Sequence, residues 1–184
     1  RNFNLGEKLK WAQREFVMNQ GITLMSWTFD PLQSLNAYFN FSKLGVIADR
    51  YIVNFYGGEA ASFLHQNGTD RFWISWHLDS QRVKERIIKR ITAKELENVK
   101  RIVKLDKNDS PNIVNLIEND QQIAIEIPVN INEIQSHNPE LAIQWREITR
   151  AAFLEALAEN YIVKEFYRGQ RGEQKFGIYL LEKV

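Results

Sequence analysis

The first 56 residues alternate between helical and strand-like hydrophobic patterns, with only short connections between them. Apolar residues recur at steps of four, three and four within Leu5 to Gln20, which predicts an amphipathic helix that Gly21 ends at position C′. Ile22 to Phe29 is rich in β-branched and aromatic residues and predicts a buried strand. A second helix over Pro31 to Lys43 and a second strand over Val46 to Tyr56 complete the alternation. This order favours an α/β layer.

Short capping signals set the expected limits of the second helix. Asp30 is suited to the N-cap, and Pro31 to the first helical position, where its missing N–H is not needed. Gly45 would close this helix, and Gly57 with Gly58 would end the following strand.

The rest of the chain predicts a mixed set of helices and strands. We expect a loop over Glu59 to Asp70 and a flexible connection over Asp106 to Pro111. The longest helix should begin at Pro139, with Asn138 as its cap, and run to Asn160. The other predicted segments are a strand at Arg71–Leu78, a partly helical charged region at Ser80–Arg101, a strand at Gln122–Val129, and a hairpin of Tyr161–Tyr167 and Phe176–Leu181 around Arg168–Lys175.

Composition excludes several classes of function. The chain has 184 residues with 44% hydrophobic residues, which is enough for a core. Its 24 Lys and Arg against 23 Asp and Glu give a net charge of +1, so we expect no nucleic-acid partner. The absence of cysteine excludes thiolate chemistry, and the three histidines, which lack metal-ligand spacing, predict no metal site. No apolar run approaches the roughly 20 residues of a membrane span.

A short segment ahead of the first helix carries a resemblance to a known family. Arg1, Asn4 and Gly6 resemble the Gln/Arg-x-x-Gly-x-Gly/Ala loop of the GNAT (GCN5-related N-acetyltransferase) superfamily. Such a loop lets backbone N–H groups approach the pyrophosphate of coenzyme A at a helix N-terminus, which carries about half a positive charge. Asn4 stands where the first glycine is usual, and asparagine tolerates left-handed backbone geometry.

The second helix extends the resemblance. Its family pattern is Asn-x-x-Ala-x-x-x-Tyr-x-x-x-Gly-Phe, and counting back from Gly45 places Phe41 on the Tyr, Ala37 on the Ala and Ser34 on the Asn position. Further segments resemble a little-characterised bacterial branch of predicted GNAT acetyltransferases with a C-terminal extension: Leu9–Glu15, Trp27–Leu32, Asp70–Trp73, Glu126–Pro128 and Trp145–Arg146. We therefore expect the C-terminal part of a GNAT fold over residues 1–58, followed by a mixed α/β extension over 59–184.

The resemblance implies an acyl-CoA-dependent N-acyltransferase, most simply one that transfers acetyl to the amine of a small molecule. In such enzymes the amine attacks the thioester directly, so positioning contributes most. A backbone N–H within Leu24 to Thr28, on a strand that splays to admit the pantetheine arm, would stabilise the oxyanion. The resemblance assigns ten residues to the binding of acetyl-CoA or another acyl-CoA: Arg1, Asn4, Leu5, Gly6, Glu7, Trp27, Ser34, Asn36, Ala37 and Phe41.

The proton donor for the leaving thiolate is left open by the sequence. The family's tyrosine is replaced by Phe41, which has no proton to give. Tyr38 lies about 60° away around the helix axis and is better read as packed. Water, Tyr51, Tyr56 or a residue of the extension are the alternatives.

Other prominent side chains have a structural reading that outweighs a functional one. The tryptophans Trp27, Trp73, Trp76 and Trp145 could line an acceptor pocket, but core packing is favoured. His77 without an orienting partner favours a structural role. A run of basic residues favours a solvated helix face, and its members are Arg82, Lys84, Arg86, Lys89 and Arg90. For Arg168 and Arg171, an exposed turn is favoured over a clamp that binds a substrate carboxylate.

Three functional alternatives follow. An N-succinyltransferase acting on amino acids is a variant of the leading prediction, and a non-catalytic CoA-binding or regulatory module is its alternative, motivated by Asn4 and Phe41. Nucleic-acid binding would rest only on the charges of Arg82 to Arg101. We expect a cytoplasmic protein, with a homodimer as one option. We also expect the N-terminal half of the acyltransferase domain elsewhere, because the family places several strands before the pyrophosphate loop.

Overall fold

The computed structural model describes residues 5–57, 67–88, 96, 98–115 and 117–184, and it is a mixed α+β structure. The predicted loop at Glu59–Asp70 lies mostly outside these residues. The described helices are α1 (Leu5–Met18), α2 (Ser34–Ala37), α3 (Gln81–Ile87), α4 (Ile131–His137) and α5 (Pro139–Ala158), and α2 continues as a π-helix over Tyr38–Leu44. The strands are β1 (Leu24–Phe29), β2 (Ile47–Ile52), β3 (Arg71–His77), β4 (Lys100–Leu105), β5 (Pro111–Ile113), β6 (Gln122–Pro128), β7 (Tyr161–Arg171) and β8 (Gln174–Lys183).

The strands form one eight-stranded sheet in the order β1-β3-β2-β7-β8-β6-β4-β5. Only the β4–β6 pair is parallel among the described pairs. Strand β3 lies between β1 and β2 although it follows both in sequence. The sheet therefore joins strands from both predicted parts of the chain, and the division near residue 58 stays a prediction.

The core on one face of the sheet is centred on the ring of Phe72 in β3. Phe41 from the π-helix and Phe153 from α5 both contact this ring, so both helices cover the same face. Ring centroids lie 4.8–6.5 Å from Phe72 for five partners: Phe29, Phe41, Tyr51, Phe153 and Tyr179. Edge-on contacts of this kind add to the free energy of burying the rings themselves.

Helix α1 turns its apolar stripe away from the protein. Leu5, Leu9 and Phe16 are 62%, 61% and 66% exposed, and Ala12 between them is also exposed. The side that packs on the sheet instead carries Trp11, whose ring lies 5.5 Å from Trp76, together with Lys10, Arg14, Val17 and Met18. An amphipathic helix ordinarily buries its apolar stripe, so this exposed face requires an explanation, taken up below.

The C-terminus of α1 confirms the predicted role of Gly21. This glycine has φ +79°, and its N–H donates to the carbonyl of Met18 while the Ile22 N–H donates to that of Val17. The pair of bonds is a Schellman motif, which needs a residue free to adopt left-handed geometry.

The orientation of α1 makes a first testable prediction. Replacing Leu9 and Phe16 together by lysine should change the free energy of unfolding by about 0.5 kcal/mol or less, because neither side chain is buried. Trp11→Ala should lower it by about 2 kcal/mol, since it removes the ring packed on Trp76. Urea unfolding followed by circular dichroism measures both. A larger loss for the lysine pair than for Trp11→Ala would show that the helix packs the other way round.

Strand β1 lies at the sheet edge, so the prediction that it is buried was wrong. Its N-terminal half is exposed, with Leu24 48% accessible to solvent. The Leu78 N–H donates to the carbonyl of Thr23 in register with the β1–β3 ladder, so alternate residues from Thr23 onward bond β3. The backbone groups of Leu24, Ser26 and Thr28 consequently point to the open edge.

The second helix begins three residues later than its capping signals predicted. Its N-cap is Gln33, without a side-chain bond, and not Asp30. The Asp30 carboxylate accepts from the Leu32 N–H at 2.9 Å in a local turn and is also bound by Arg146, so it is not available to a helix end. The predicted end is confirmed, because Gly45 closes the π-helix with φ +78°.

Among the remaining predictions, the start of the longest helix is confirmed, whereas the strand predicted over Val46 to Tyr56 is shorter: β2 ends at Ile52, and residues 53–56 form a turn before Gly57. Helix α5 begins at Pro139, and Asn138 caps it by accepting from the Leu141 N–H. The segment Asp106–Pro111 is a tight hairpin turn between β4 and β5 and not a flexible connection, since the Asp106 carboxylate accepts from two N–H groups within it. Strands β4 and β5 and helix α4 were not predicted, and the C-terminal hairpin is longer than expected.

Candidate functional site

A cavity of about 580 Å³ opens at the end of the sheet where β1 and β2 finish and β3 begins. We call it the β1–α4 cleft. Its walls come from the end of β1, the start of α2, helix α4 and the residues before β3. The lining residues are Thr28, Phe29, Asp30, Gln33, Asn36, Tyr56, Asn67, Gly68, Arg71, Ile131, Asn132, Gln135 and Arg146. Its volume is within the usual range for small-molecule sites.

One wall of the cleft is a bidentate ion pair between Arg146 of α5 and Asp30. Both Nη atoms of Arg146 lie 2.8 Å from the Asp30 carboxylate oxygens, and its Nε donates to the carbonyl of Asn67. Arg146 is only 3% exposed. Burial alone would lower the pKa of Arg146, but the hydrogen bonds and charge of Asp30 raise it. The two charges neutralise each other and fix the loop after β1 against α5.

A fully buried carboxylate, Asp70, directly precedes the cleft residue Arg71 in sequence. It accepts from the Tyr51 hydroxyl at 2.7 Å, from Arg150 Nε at 2.7 Å and from the backbone N–H of Asn54 at 3.0 Å. Burial would raise the pKa of Asp70, but the bonds from Arg150, Asn54 and Tyr51 outweigh it and lower the pKa. Burial and the adjacent Asp70 charge raise the pKa of Tyr51. Asp70 therefore stays ionised and Tyr51 stays protonated at neutral pH.

The lowered pKa of Asp70 makes stability depend on pH. Since the unfolded state binds the proton more readily, this stabilisation is complete above the unfolded value near 3.8 and is lost as pH falls through the lower folded pKa. We expect Asp70→Asn to cost about 2 kcal/mol at pH 7. The difference from the unmodified chain should shrink below pH 4. Urea titrations at several pH values measure this, and a difference that does not change down to pH 2 would contradict it.

The mouth of the cleft is lined by side-chain amides. Gln33 and Asn132 exchange two hydrogen bonds, at 3.0 and 3.3 Å, and so connect the start of α2 to α4. Asn36 is exposed beside them. Two other lining residues carry polar atoms that are shielded from solvent and have no hydrogen-bond partner among the described residues: both side-chain polar atoms of Asn67 and the Oε1 of Gln135. Unsatisfied buried polar atoms are rare in native folds, so these three atoms are candidates for hydrogen bonds to a ligand or to ordered water.

The cation that faces the cleft is Arg71, at the start of β3. Its Nη1 donates to the carbonyl of Asp70, and its guanidinium lies 5.3 Å from the centre of the Tyr56 ring. Within the described part of the chain, no carboxylate forms an ion pair with Arg71. The lining residues Asp30, Arg71 and Arg146 sum to a charge of +1, which favours an anionic ligand group.

The residues assigned by resemblance to coenzyme A are only partly brought together. Ala37 and Phe41 are fully buried and Ser34 is 6% exposed, so these three pack in the core. Of the members of the set that the structure describes, Asn36 alone lines the cleft. Trp27 is half-buried with the Lys10 ammonium 4.0 Å from its ring centre, while a Cβ on Gly6 would meet Phe39, and Leu5 and Glu7 belong to the first turn of α1. Arg1 and Asn4 lie outside the described residues.

The alternative proton donors differ in their surroundings. Tyr38 is half-buried with the Arg168 guanidinium 3.8 Å above its ring, as its packed reading predicted. Tyr51 is committed to Asp70. Tyr56 lines the cleft and is 54% exposed, which makes it the member of the set best placed for chemistry.

The structural readings of the other prominent residues are mixed in outcome. Trp76 and Trp145 are fully buried, as expected. The solvated-face prediction is wrong for Arg86, which is 8% exposed and pairs with Glu165. Arg171 is no free turn residue, because it binds the buried carboxylate of Glu126 at 2.9 Å. His77 is exposed on β3, and Lys89 and Arg90 lie outside the described residues.

Sequence reasoning did not identify the charged framework of the cleft. In the sequence, Asp70 and Arg146 stand out only as parts of family-like segments, and Arg150 and Asn67 do not stand out at all. The spacing of Arg146 and Arg150, four residues apart, places both on one side of α5, where each meets a carboxylate. That spacing was the sequence signal available for this framework. The carboxylate partners of the two arginines, however, lie 116 and 80 residues away in sequence.

A scan against protein-family models, a search of curated proteins and a search of solved structures each found no match to this chain. In the part of the chain that the structure describes, no group of His, Cys, Asp and Glu side chains could hold a metal ion. The described helices include none long and apolar enough to cross a membrane.

Proposed function

We propose that this chain forms part of an acyl-CoA-dependent N-acyltransferase that acts on the amine of a small molecule. The observation that carries the proposal is the open edge of β1. Its outward backbone groups at Leu24, Ser26 and Thr28 are available to bond an extended ligand such as a pantetheine arm. The order α1, β1, α2, β2 also matches the order that the GNAT resemblance requires.

The proposed reaction is a direct transfer. The amine nitrogen attacks the thioester carbonyl carbon, and an outward N–H of β1 donates to the oxyanion that forms. The carbon–sulfur bond then breaks, the nitrogen loses a proton as the amide forms, and the thiolate takes up a proton, so the net transfer is one proton from nitrogen to sulfur. Holding donor and acceptor together supplies most of the acceleration. Tyr56 at the cleft is our candidate for the proton donor, because Phe41 carries no proton and is buried.

The exposed stripe of α1 supports the expectation of a missing half of the domain. Helix α1 lies against β1, with the Lys10 ammonium 4.0 Å from the ring centre of Trp27, and β1 has no second neighbour among the described strands. One polypeptide that adds a strand to β1 and covers α1 would satisfy both surfaces. We propose that this partner is the N-terminal half of the acyltransferase domain, and a second copy of this chain is the competing outcome.

Thiol release tests the activity. The chain would be incubated, alone and with any preceding polypeptide of its own protein, with acetyl-CoA or succinyl-CoA and a panel of amino acids and polyamines. We expect thiol release above background with at least one pair. Tyr56→Phe should lower the rate of transfer without weakening CoA binding. Absence of release with every donor, despite measurable CoA binding, would favour the second candidate.

The second candidate is a non-catalytic CoA-binding module, and the burial of Phe41 favours it. Phe41→Tyr restores the family residue but places a hydroxyl in an apolar cluster. We expect it to lower the free energy of unfolding by about 1–3 kcal/mol and to leave acyl transfer no faster. A rise in turnover with stability unchanged would show instead that this position reaches the reacting groups.

A further inference from the structure

We propose that the β1–α4 cleft binds an N-acylated α-amino acid through its amide and carboxylate. This deepens the proposed function, because such a molecule is the product of acyl transfer to an α-amino acid. Its identification as a reaction product rests on that function, whereas the binding itself does not. The inference starts from polar groups of the cleft that nothing in the described chain satisfies.

The first step concerns the amide. Asn67 presents one buried acceptor, Oδ1, and one buried donor, Nδ2, and neither is bonded to another described residue. Gln135 of α4, which lines the same cavity, adds a buried acceptor, Oε1. A secondary amide carries one N–H donor and one carbonyl acceptor, so it complements such a set. Burying these three polar atoms without hydrogen bonds raises the free energy of the empty cleft. An amide ligand that bonds them would remove this penalty, which favours its binding.

The second step concerns the carboxylate. Arg146 is neutralised by Asp30, and Asp70 by Arg150, so neither pair has charge to offer a ligand. Arg71 lines the same cavity and has no carboxylate partner among the described residues. A guanidinium binds a planar carboxylate by two parallel bonds. Its stacking on Tyr56 holds it at the cleft wall.

The third step concerns what the cleft excludes. Its apolar lining consists mainly of Phe29 and Ile131, and most other lining residues are amides, hydroxyls or charged groups. A long acyl chain or a polyamine therefore fits poorly, the latter also because the net charge of the charged lining residues is +1. A compact ligand with one amide and one carboxylate satisfies the polar atoms and the charge together.

Calorimetry with N-acetylglycine, without any acyl donor, tests the proposal. We expect saturable binding, and about tenfold weaker binding to Arg71→Gln, because that change removes a charge-assisted pair. N-acetylglycinamide, which lacks the carboxylate, should bind the unmodified chain about tenfold more weakly than N-acetylglycine. The Arg71→Gln variant should bind N-acetylglycinamide no more weakly than it binds N-acetylglycine. Removing the guanidinium from the protein and removing the carboxylate from the ligand abolish the same contact.

Arg168→Gln is the matched control, because Arg168 is exposed and lies over Tyr38, outside the cleft. It should leave affinity unchanged. Asn67→Ala should weaken N-acetylglycine and N-acetylglycinamide equally, since both carry the amide. No saturable binding, equal affinity for the two ligands, or an equal effect of Arg168→Gln would overturn the proposal and leave the cleft a water-filled cavity.

Two sources share this chemistry, and a longer probe separates them. A free N-acylated amino acid and a peptide C-terminus both present an amide beside a carboxylate. Affinity for acetyl-Ala-Ala-Gly above that for N-acetylglycine would identify a peptide terminus, while lower affinity would identify the single amino acid. Binding without any acyl transfer supports this inference and counts only against the proposed activity. Acyl transfer to amino acids without binding in the cleft overturns this inference and leaves the activity standing.

Discussion

Arg146→Met should lower the free energy of unfolding by about 3–5 kcal/mol, because it leaves the Asp30 carboxylate without its bidentate partner in a largely buried position. Methionine preserves much of the length and packing of the side chain, so the effect reports the lost charge and hydrogen bonds. The Asn67 carbonyl also loses its donor. Urea unfolding followed by tryptophan fluorescence gives the value.

The double variant Asp30→Asn with Arg146→Met distinguishes an unpaired charge from general disruption. Removing both charges should recover part of the loss, since an isolated buried charge costs more than an absent pair. Arg168→Met, at an exposed arginine, serves as the control and should cost less than about 0.5 kcal/mol. A loss below 1 kcal/mol for Arg146→Met would mean that the pair contributes little to holding the loop after β1.

Phe72→Ala is the second large expected effect, at about 3–5 kcal/mol. Its ring is fully buried and contacts rings from β1, β2, β8, the π-helix and α5. The cavity left by the missing ring cannot close, because its neighbours belong to different elements that are each held elsewhere. Denaturant midpoints together with near-ultraviolet circular dichroism measure the loss of stability and of aromatic packing.

Phe55→Ala provides the comparison for this prediction. Its ring packs on Tyr56 but is 38% exposed, so we expect a loss of about 1 kcal/mol or less. If Phe72→Ala cost no more than Phe55→Ala, the aromatic cluster would not be the centre of the core.

Capping residues and glycines in the sequence predicted where several helices begin or end. Asn138 and Pro139 fixed the start of α5, and Gly21 and Gly45 fixed the ends of α1 and the π-helix, since caps and left-handed glycines act within a few residues. The Asp30 cap failed for a reason that no local pattern contains: the carboxylate is used by Arg146, 116 residues later.

Sequence periodicity likewise could not predict which side of α1 packs against the sheet. The pattern shows that Leu5, Leu9 and Phe16 share a face, but not whether the described chain covers that face. The cleft shows the same limit. Its amides and arginines come from four separate segments, and only the tertiary fold brings Asn67 and Arg71, which are close in sequence, into one cavity with Gln135.

The position of β3 between β1 and β2 has a consequence for folding during synthesis. The first two strands are not paired with each other in the sheet, so both lack their native neighbour β3 until residues 71–77 have left the ribosome. At about 5–20 residues per second, the exposed strands then wait a few seconds for a partner. The first part of this chain is therefore most vulnerable to aggregation or chaperone capture while it is still being made, before β3 inserts.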